Sequence, residues 1–135
     1  MGIQAFTPPG GNTQASLERI MSVNGAYTVT GNTVKLTAAT SAPTPVQCSS
    51  TTLGGNQYRI INASTTQGCF LSFAQDAATA TSNCVIPTGS GANSTRTLYL
   101  LPSTDEVVTF VPNAYFTAIT AANTADLYIS PGDGM

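Results

Sequence analysis

The spacing of the apolar residues constrains the fold of this chain more than any other feature of the sequence. They come in short runs, each bounded by Gly, Pro, Asn, Ser or Thr. Successive runs begin about 8 to 12 residues apart, the spacing typical of a β-sandwich or barrel. None shows the roughly 10 to 15 residues of helical periodicity that a crossover between parallel strands requires. We therefore expect an all-β, antiparallel sandwich, jelly-roll-like in type.

The predicted strands cover residues 26–30, 33–37, 46–49, 57–63, 68–73, 83–86, 96–101, 106–111, 115–119 and 126–130. The first two are separated by Gly31-Asn32, and such pairs favour the positive φ angles of a tight hairpin turn. We therefore predict that these two strands form a hairpin. Alternation places Val34 and Leu36 on one face of the second strand, with Lys35 and Thr37 on the other.

The 135 residues fit one folded domain. Residues 1–15 contain Pro8-Pro9-Gly10-Gly11 and no periodic apolar pattern, which predicts an extended N-terminal arm. The sandwich domain is then expected to cover residues 16–135. Residues 14–21, which span the end of the arm and the start of this domain, fit either a short helix or a strand, and residues 87–94 are typical of an exposed loop.

The composition leaves few groups for acid–base chemistry. The chain has no histidine, no tryptophan and only 7% charged residues, against about 25% in an average protein. Asp105-Glu106 is an adjacent acidic pair that could serve glycoside hydrolysis, but neighbours on a strand point to opposite faces. Lys35 or a carboxylate could activate a Ser or Thr, yet nothing in the sequence marks such a pair. We predict no catalytic site, no metal site and no cofactor.

The charges and the cysteines argue against further classes of protein. The net charge is −2, and the cations Arg19, Lys35, Arg59 and Arg96 are scattered, which argues against nucleic-acid binding. No stretch of about 20 apolar residues is present, and the first residues do not resemble a secretory signal, so we expect synthesis in a cytosol and no membrane partner. The three cysteines, Cys48, Cys69 and Cys84, are expected to be buried and reduced.

Aromatic residues are the remaining sign of a binding function. Tyr115-Phe116 and the run from Phe70 to Phe73 could line a ligand groove. Large residues that alternate along strands are more often part of the core, and we expect a core role for both.

Residues 57–134 also show a specific order of segments. These are 58–63 (Tyr-Arg-Ile-Ile-Asn-Ala), 68–73 (Gly-Cys-Phe-Leu-Ser-Phe), 77–81 (Ala-Ala-Thr-Ala-Thr), 107–111 (Val-Val-Thr-Phe-Val), 115–119 (Tyr-Phe-Thr-Ala-Ile) and 125–134 (Ala-Asp-Leu-Tyr-Ile-Ser-Pro-Gly-Asp-Gly). In this order the chain resembles the capsid decoration, or cement, proteins of tailed bacteriophages, which are small β-sandwich or jelly-roll subunits. The resemblance covers a little over half of the chain.

The resemblance implies a non-enzymatic virion protein, made in the host cytoplasm, that binds the outer surface of the icosahedral capsid and stabilises it. The expected partners are the major capsid protein and further copies of this chain, as a dimer or trimer. Gln4, Phe6, Pro8 and Pro9 of the arm are the expected contacts, because an extended segment can be ordered against a neighbour. The alternatives are a tail- or fibre-associated receptor-binding module of the same virion and, more remotely, a glycosidase.

Overall fold

The computed structural model describes residues 28–48, 56–89 and 96–133, and the compact unit considered below runs from Val29 to Gly132. The described elements are β1 (Thr28–Val29), β2 (Val34–Ala38), β3 (Val46–Gln47), β4 (Gln57–Asn62), β5 (Cys69–Ala74), α1 (Ala77–Asn83), β6 (Leu98–Leu100), β7 (Asp105–Thr109), β8 (Tyr115–Ile119) and β9 (Ala125–Asp133). The predicted arm, residues 1–15, and the segment 14–21 lie outside the described residues.

The strands form two sheets. In the first, β1 and β2 lie along one edge of β9, β4 lies along the other edge, and β7 follows β4. The second has the order β3, β8, β5, β6. The registers of β2–β9, β3–β8, β4–β7, β4–β9, β5–β6 and β5–β8 are all antiparallel. The expected all-β antiparallel sandwich is confirmed.

The pairing follows a simple rule along the chain. Strands of the first half pair with strands of the second half in reverse order: β2 with β9, β3 with β8, β4 with β7 and β5 with β6. Such a pattern results when one long antiparallel ribbon, closed between β5 and β6, wraps into two packed sheets. Successive strand pairs along this ribbon then belong alternately to the first and to the second sheet. This is the jelly-roll arrangement.

Period-two alternation places the core between the sheets. Leu36 of β2 is buried and Val34 half-buried while Lys35 and Thr37 are exposed, as the sequence predicted, and the alternation continues to the buried Ala38. In β4 the same rule buries Tyr58 and Ile60, because successive side chains on a strand point to opposite faces.

Tyr58 of the first sheet and Phe116 of the second meet in the middle of this core. Their ring centroids are 4.8 Å apart in an edge-to-face arrangement, which complements the charge distribution of the two rings. The Tyr58 hydroxyl donates to the Val111 carbonyl at 2.7 Å and accepts the Ala114 N–H at 3.2 Å. The buried hydroxyl of Tyr58 is therefore paired both as donor and as acceptor, and it fixes the turn between β7 and β8.

Asn62 joins the end of β4 to two turns. Its side chain is 1% exposed; the amide nitrogen donates to the carbonyls of Gln67 and Leu101 at 3.0 and 3.1 Å. Its oxygen accepts the Ser64 N–H at 3.0 Å. A single buried amide thus holds the segment after β4 against the segment after β6.

The predicted hairpin at Gly31-Asn32 is wrong. β1 and β2 both pair with β9, so the chain continues past Gly31 along the same edge. Thr30 N–H donates to the Pro131 carbonyl, and a Cβ on Gly31 would lie 2.9 Å from Pro131 Cγ. Pro131 has no N–H to offer its neighbour, so the edge strand is interrupted beside it, and glycine leaves room for the proline ring.

Two other predictions need correction. The segment 83–86 is not a strand, because Asn83 is the last residue of α1, whose N-cap is Asp76, and residues 84–86 belong to neither a helix nor a strand. The predicted strand 126–130 is longer in the structure, because β9 runs from Ala125 to Asp133 between two neighbouring strands.

Replacement of Asn62 by Ala should lower the free energy of unfolding by about 1–3 kcal/mol, because the Gln67 and Leu101 carbonyls lose a buried donor. Urea denaturation measures the change. Asn32→Ala, at an exposed position, is the control and should shift stability by less than about 0.5 kcal/mol. Equal unfolding midpoints for the two variants would contradict the role given to Asn62.

Asp105 of β7 binds Arg59 of β4 through both carboxylate oxygens, and these hydrogen bonds, ahead of the charge attraction, hold the Asp105 pKa below its ordinary value. A carboxyl whose pKa is lower in the folded state stabilises the fold above the pKa of the unfolded chain, about 3.9, and loses that contribution as the pH falls through the folded value. Both groups are about half exposed, so Asp105→Asn should cost about 0.2–1 kcal/mol at pH 7 and nothing near pH 2.

Glu106→Gln removes the same charge from the next residue of β7 and serves as the matched control for Asp105→Asn. Urea unfolding of both variants at the two pH values separates the ion pair from net charge. A loss that is the same at both pH values, or the same in both variants, would contradict the role of the Arg59–Asp105 pair.

Candidate functional site

A cleft of about 410 Å³ opens where β5 ends and β6 begins. Its apolar lining comes from Phe73 and Ala74 at the end of β5 and from Phe110, which follows β7. The polar lining comes from the β5–α1 turn, from one face of α1 and from Arg96, and comprises Gln75, Asp76, Thr79, Asn83 and Arg96. The cleft therefore combines an apolar floor with a polar rim.

The floor is an extension of the core. Phe73 is partly buried, and its ring centroid lies 5.1 Å from that of Phe110 and 5.8 Å from that of Phe116. Ala74 beside it is 4% exposed. Because the rings pack against one another and against the buried Phe116, the floor is held in place before any ligand arrives.

The helix α1 forms one wall. Asp76 Oδ1 accepts the Thr79 N–H at 2.8 Å, and Oδ2 accepts the Thr79 hydroxyl at 2.9 Å, so Asp76 is the N-cap of the helix. These hydrogen bonds hold the Asp76 pKa below its ordinary value, and the bond from the Thr79 backbone N–H has the larger effect. Thr79 and Asn83 lie four residues apart and share a helix face. The wall thus presents a charged carboxylate and a side-chain amide.

α1 is also fixed to the sheet beneath it. The hydroxyl of Ser72 in β5, which is fully buried, donates to the Ala80 carbonyl at 2.8 Å. Ala80 is the buried residue of the helix, and its small side chain permits close approach to β5. The helix wall is therefore positioned by the same strand that supplies Phe73.

Arg96 also lines the cleft, and in the sequence it comes just before β6. The β5–β6 register pairs Cys69 with Leu100 and Leu71 with Leu98. Continuing it by two residues places Arg96 opposite Phe73. The ion pairs found in residues 28–48, 56–89 and 96–133 join Lys35 to Asp126 and Arg59 to Asp105, and Arg96 belongs to neither. Its exposed guanidinium can therefore serve a ligand.

The groups that the sequence offered for catalysis lie elsewhere. Asp105 is bound to Arg59, and Lys35 is bound to Asp126 at 3.4 Å, both on the first sheet. Among the described residues, no group of three or more Cys, Asp or Glu side chains is placed to hold a metal ion. Asp105 and Asp126 instead form ion pairs at the surface.

The three cysteines are buried and free, as the sequence predicted. Burial raises the pKa of the Cys48 and Cys84 thiols to about 11. Burial, and to a lesser extent the neighbouring Cys84, raises the pKa of the Cys69 thiol to about 12. All three are therefore protonated at neutral pH and are poor nucleophiles, since the thiolate is the reactive form.

The sequence analysis did not predict this cleft, because it assigned the aromatic residues of β5 and β8 to the core. Phe116 is a core residue, as expected, whereas Phe73 both packs on the core and lines the cleft. Asp76 and Asn83 were missed, although the spacing of Asp76 and Thr79 is typical of a helix N-terminus. Gln4, Phe6, Pro8 and Pro9 lie outside the described residues, so their contact role stays a prediction.

Comparisons with protein-family models, with curated proteins and with solved structures find no match to this chain. No helix in the described part of the chain has the length and hydropathy that crossing a bilayer requires.

Substitution of Asp76 by Ala should loosen the first turn of α1, because the Thr79 N–H loses its acceptor. Amide hydrogen exchange at Thr79 should become several-fold faster. Asp76→Asn is the matched variant and should keep most of the protection, because asparagine caps helices about as well as aspartate. Equal protection in the wild type and Asp76→Ala would contradict the capping role.

Proposed function

We propose that the protein is a structural, non-enzymatic component of a tailed-bacteriophage virion that binds the outer surface of the icosahedral head and stabilises it. The proposal is carried by the ordered resemblance of residues 57–134 to capsid decoration proteins. It is compatible with the fold, because the described parts of those segments belong to one jelly-roll unit. Since a jelly roll serves many functions, the fold supports the proposal without deciding it.

The exposed strands β6 and β7 supply a physical reason for partner binding. Each is the last strand of its sheet, and a short turn joins them. Leu101 and Val107 beside these edges are 56% and 53% exposed. An edge strand has backbone groups without strand partners, and exposed apolar side chains beside it favour contact with another chain. This side of the sandwich is the surface we assign to the major capsid protein or to a neighbouring copy.

The composition suits such an interface. Only ten residues of 135 are charged, and interface cores are depleted in Lys, Glu and Asp. Binding to the assembled head but not to free subunits stabilises the head by mass action, to an extent set by affinity and concentration. The arm residues Gln4, Phe6, Pro8 and Pro9 would add contacts across the joint between neighbouring capsid subunits. We propose assembly on the head as a dimer or trimer.

A second candidate is a tail- or fibre-associated receptor-binding module of the virion. The observation that favours it is the cleft between β5, α1 and Arg96, since head stabilisation requires no ligand cleft. Binding to isolated heads distinguishes the two candidates.

Heads purified without the protein should bind the added protein saturably, and the occupied heads should melt at a higher temperature than bare heads. Sedimentation of heads with bound protein and calorimetry of the same samples measure the two effects. Absence of head binding by the full chain would contradict the proposal.

Matched variants locate the surface. Val107→Lys places a charge on the β7 edge and should weaken head binding about tenfold, the loss of about 1.4 kcal/mol that an interface residue can contribute. Val29→Lys, at a position of similar exposure (56%) on β1, at the edge of the first sheet opposite β7, should bind as the wild type does. Equal affinities of the two lysine variants would remove the β7 edge from the interface.

Deletion of residues 2–11 tests the arm and should weaken binding without unfolding the domain.

A further inference from the structure

We propose that the cleft between β5, α1 and Arg96 is a saccharide-binding site. Its volume of about 410 Å³ lies at the lower end of the range for small-molecule sites, roughly 300–1,000 Å³. A cleft of this size accommodates a short stretch of a glycan rather than a large cofactor.

The floor provides the apolar half of sugar recognition. A pyranose ring has a face of C–H groups, and the adjoining oxygens make these hydrogens slightly positive. The face of an aromatic ring carries the complementary negative charge. Phe73 and Phe110 are both partly exposed in the cleft and meet edge to face at 75°, so they are held in a fixed mutual orientation. Neither ring has a polar atom that would require its own partner.

The rim provides the polar half. Carboxylate, side-chain amide and guanidinium groups are planar and present two hydrogen-bonding atoms each, which matches the pair of hydroxyls on adjacent sugar carbons. Asp76 supplies acceptors, Arg96 supplies donors, and Asn83 supplies both. A carboxylate has about four acceptor positions; Thr79 occupies two of those on Asp76 and the Ala78 N–H a third, so about one remains for a ligand.

The charges favour a saccharide over a phosphate ligand. Arg96 is the cation that lines the cleft, and Asp76 lines the same cleft. A nucleotide or a sugar phosphate would bring its charge close to the Asp76 carboxylate, whereas uncharged hydroxyl groups can bond to both residues. The net charge of −2 also disfavours anionic ligands.

Saccharide binding goes beyond the proposed head-binding role. It uses Arg96 and Phe110, which border β6 and β7, and not Leu101 and Val107 of the surface assigned to head binding. It would give the virion a means of contacting glycans, whichever part of the particle carries the protein. Its test requires no heads, so its failure and the failure of head binding are separate results.

The test is a titration of the full-length protein with maltotriose, cellotriose, chitotriose and mannotriose, followed by backbone amide NMR. At least one of these should bind with a Kd in the millimolar range or tighter. The amide signals of Gln75, Asp76 and Asn83 should shift together during that titration. ATP is included as a phosphate-bearing probe and should bind more weakly.

Variants separate recognition from folding. Arg96→Ala should weaken binding about tenfold, whereas Lys35→Ala, which removes an exposed cation of the first sheet, should leave the affinity unchanged. Phe110→Leu retains apolar bulk but loses the aromatic face and should also weaken binding about tenfold, while Phe110→Tyr should retain it. Thermal unfolding of each variant identifies any loss of affinity that follows from a damaged fold.

Three results would overturn the proposal: no cleft signals shift with any of the four saccharides, ATP binds more tightly than all of them, or Arg96→Ala and Lys35→Ala have equal affinities. Each points to a cleft that does not recognise sugars through these residues.

Discussion

The contact between Tyr58 and Phe116 is the interaction on which the rest of the structure depends. It joins the two sheets at their centre, with ring centroids 4.8 Å apart. Phe116 also contacts Phe73, which contacts Phe110 in turn, so a row of aromatic rings extends from the core to the cleft. A chain with few charged residues and no histidine must obtain its stability from such packing.

The ribbon topology determines which surfaces remain available. Because β5 and β6 form the closed end of the ribbon, β6 and β7 become the last strands of their sheets. The same closed end contains α1 and Arg96, which border the cleft. One connection, from the end of β5 to the start of β6, thus lies next to both surfaces to which we assign binding. The opposite edge is occupied by the interrupted strand formed by β1 and β2, and offers less continuous backbone.

Local sequence patterns predicted the elements that depend on local rules. Alternation in β2 and the spacing of apolar runs were sufficient for the fold class, because burial between sheets imposes a period of two. The hairpin predicted at Gly31-Asn32 was wrong because the geometry there is decided by Pro131, a hundred residues away in sequence. The cleft was not predictable for the same reason: Phe73, Asp76 and Arg96 come together only through the β5–β6 register and the packing of α1 on Ser72.

Electron cryomicroscopy of the intact particle that carries this protein tests the central claim, binding to the outer face of the head, most directly. The predicted result is density for the sandwich on the outer face of the icosahedral head, with β6 and β7 directed toward the major capsid protein. Density on the tail or fibres alone, with a bare head surface, would contradict it.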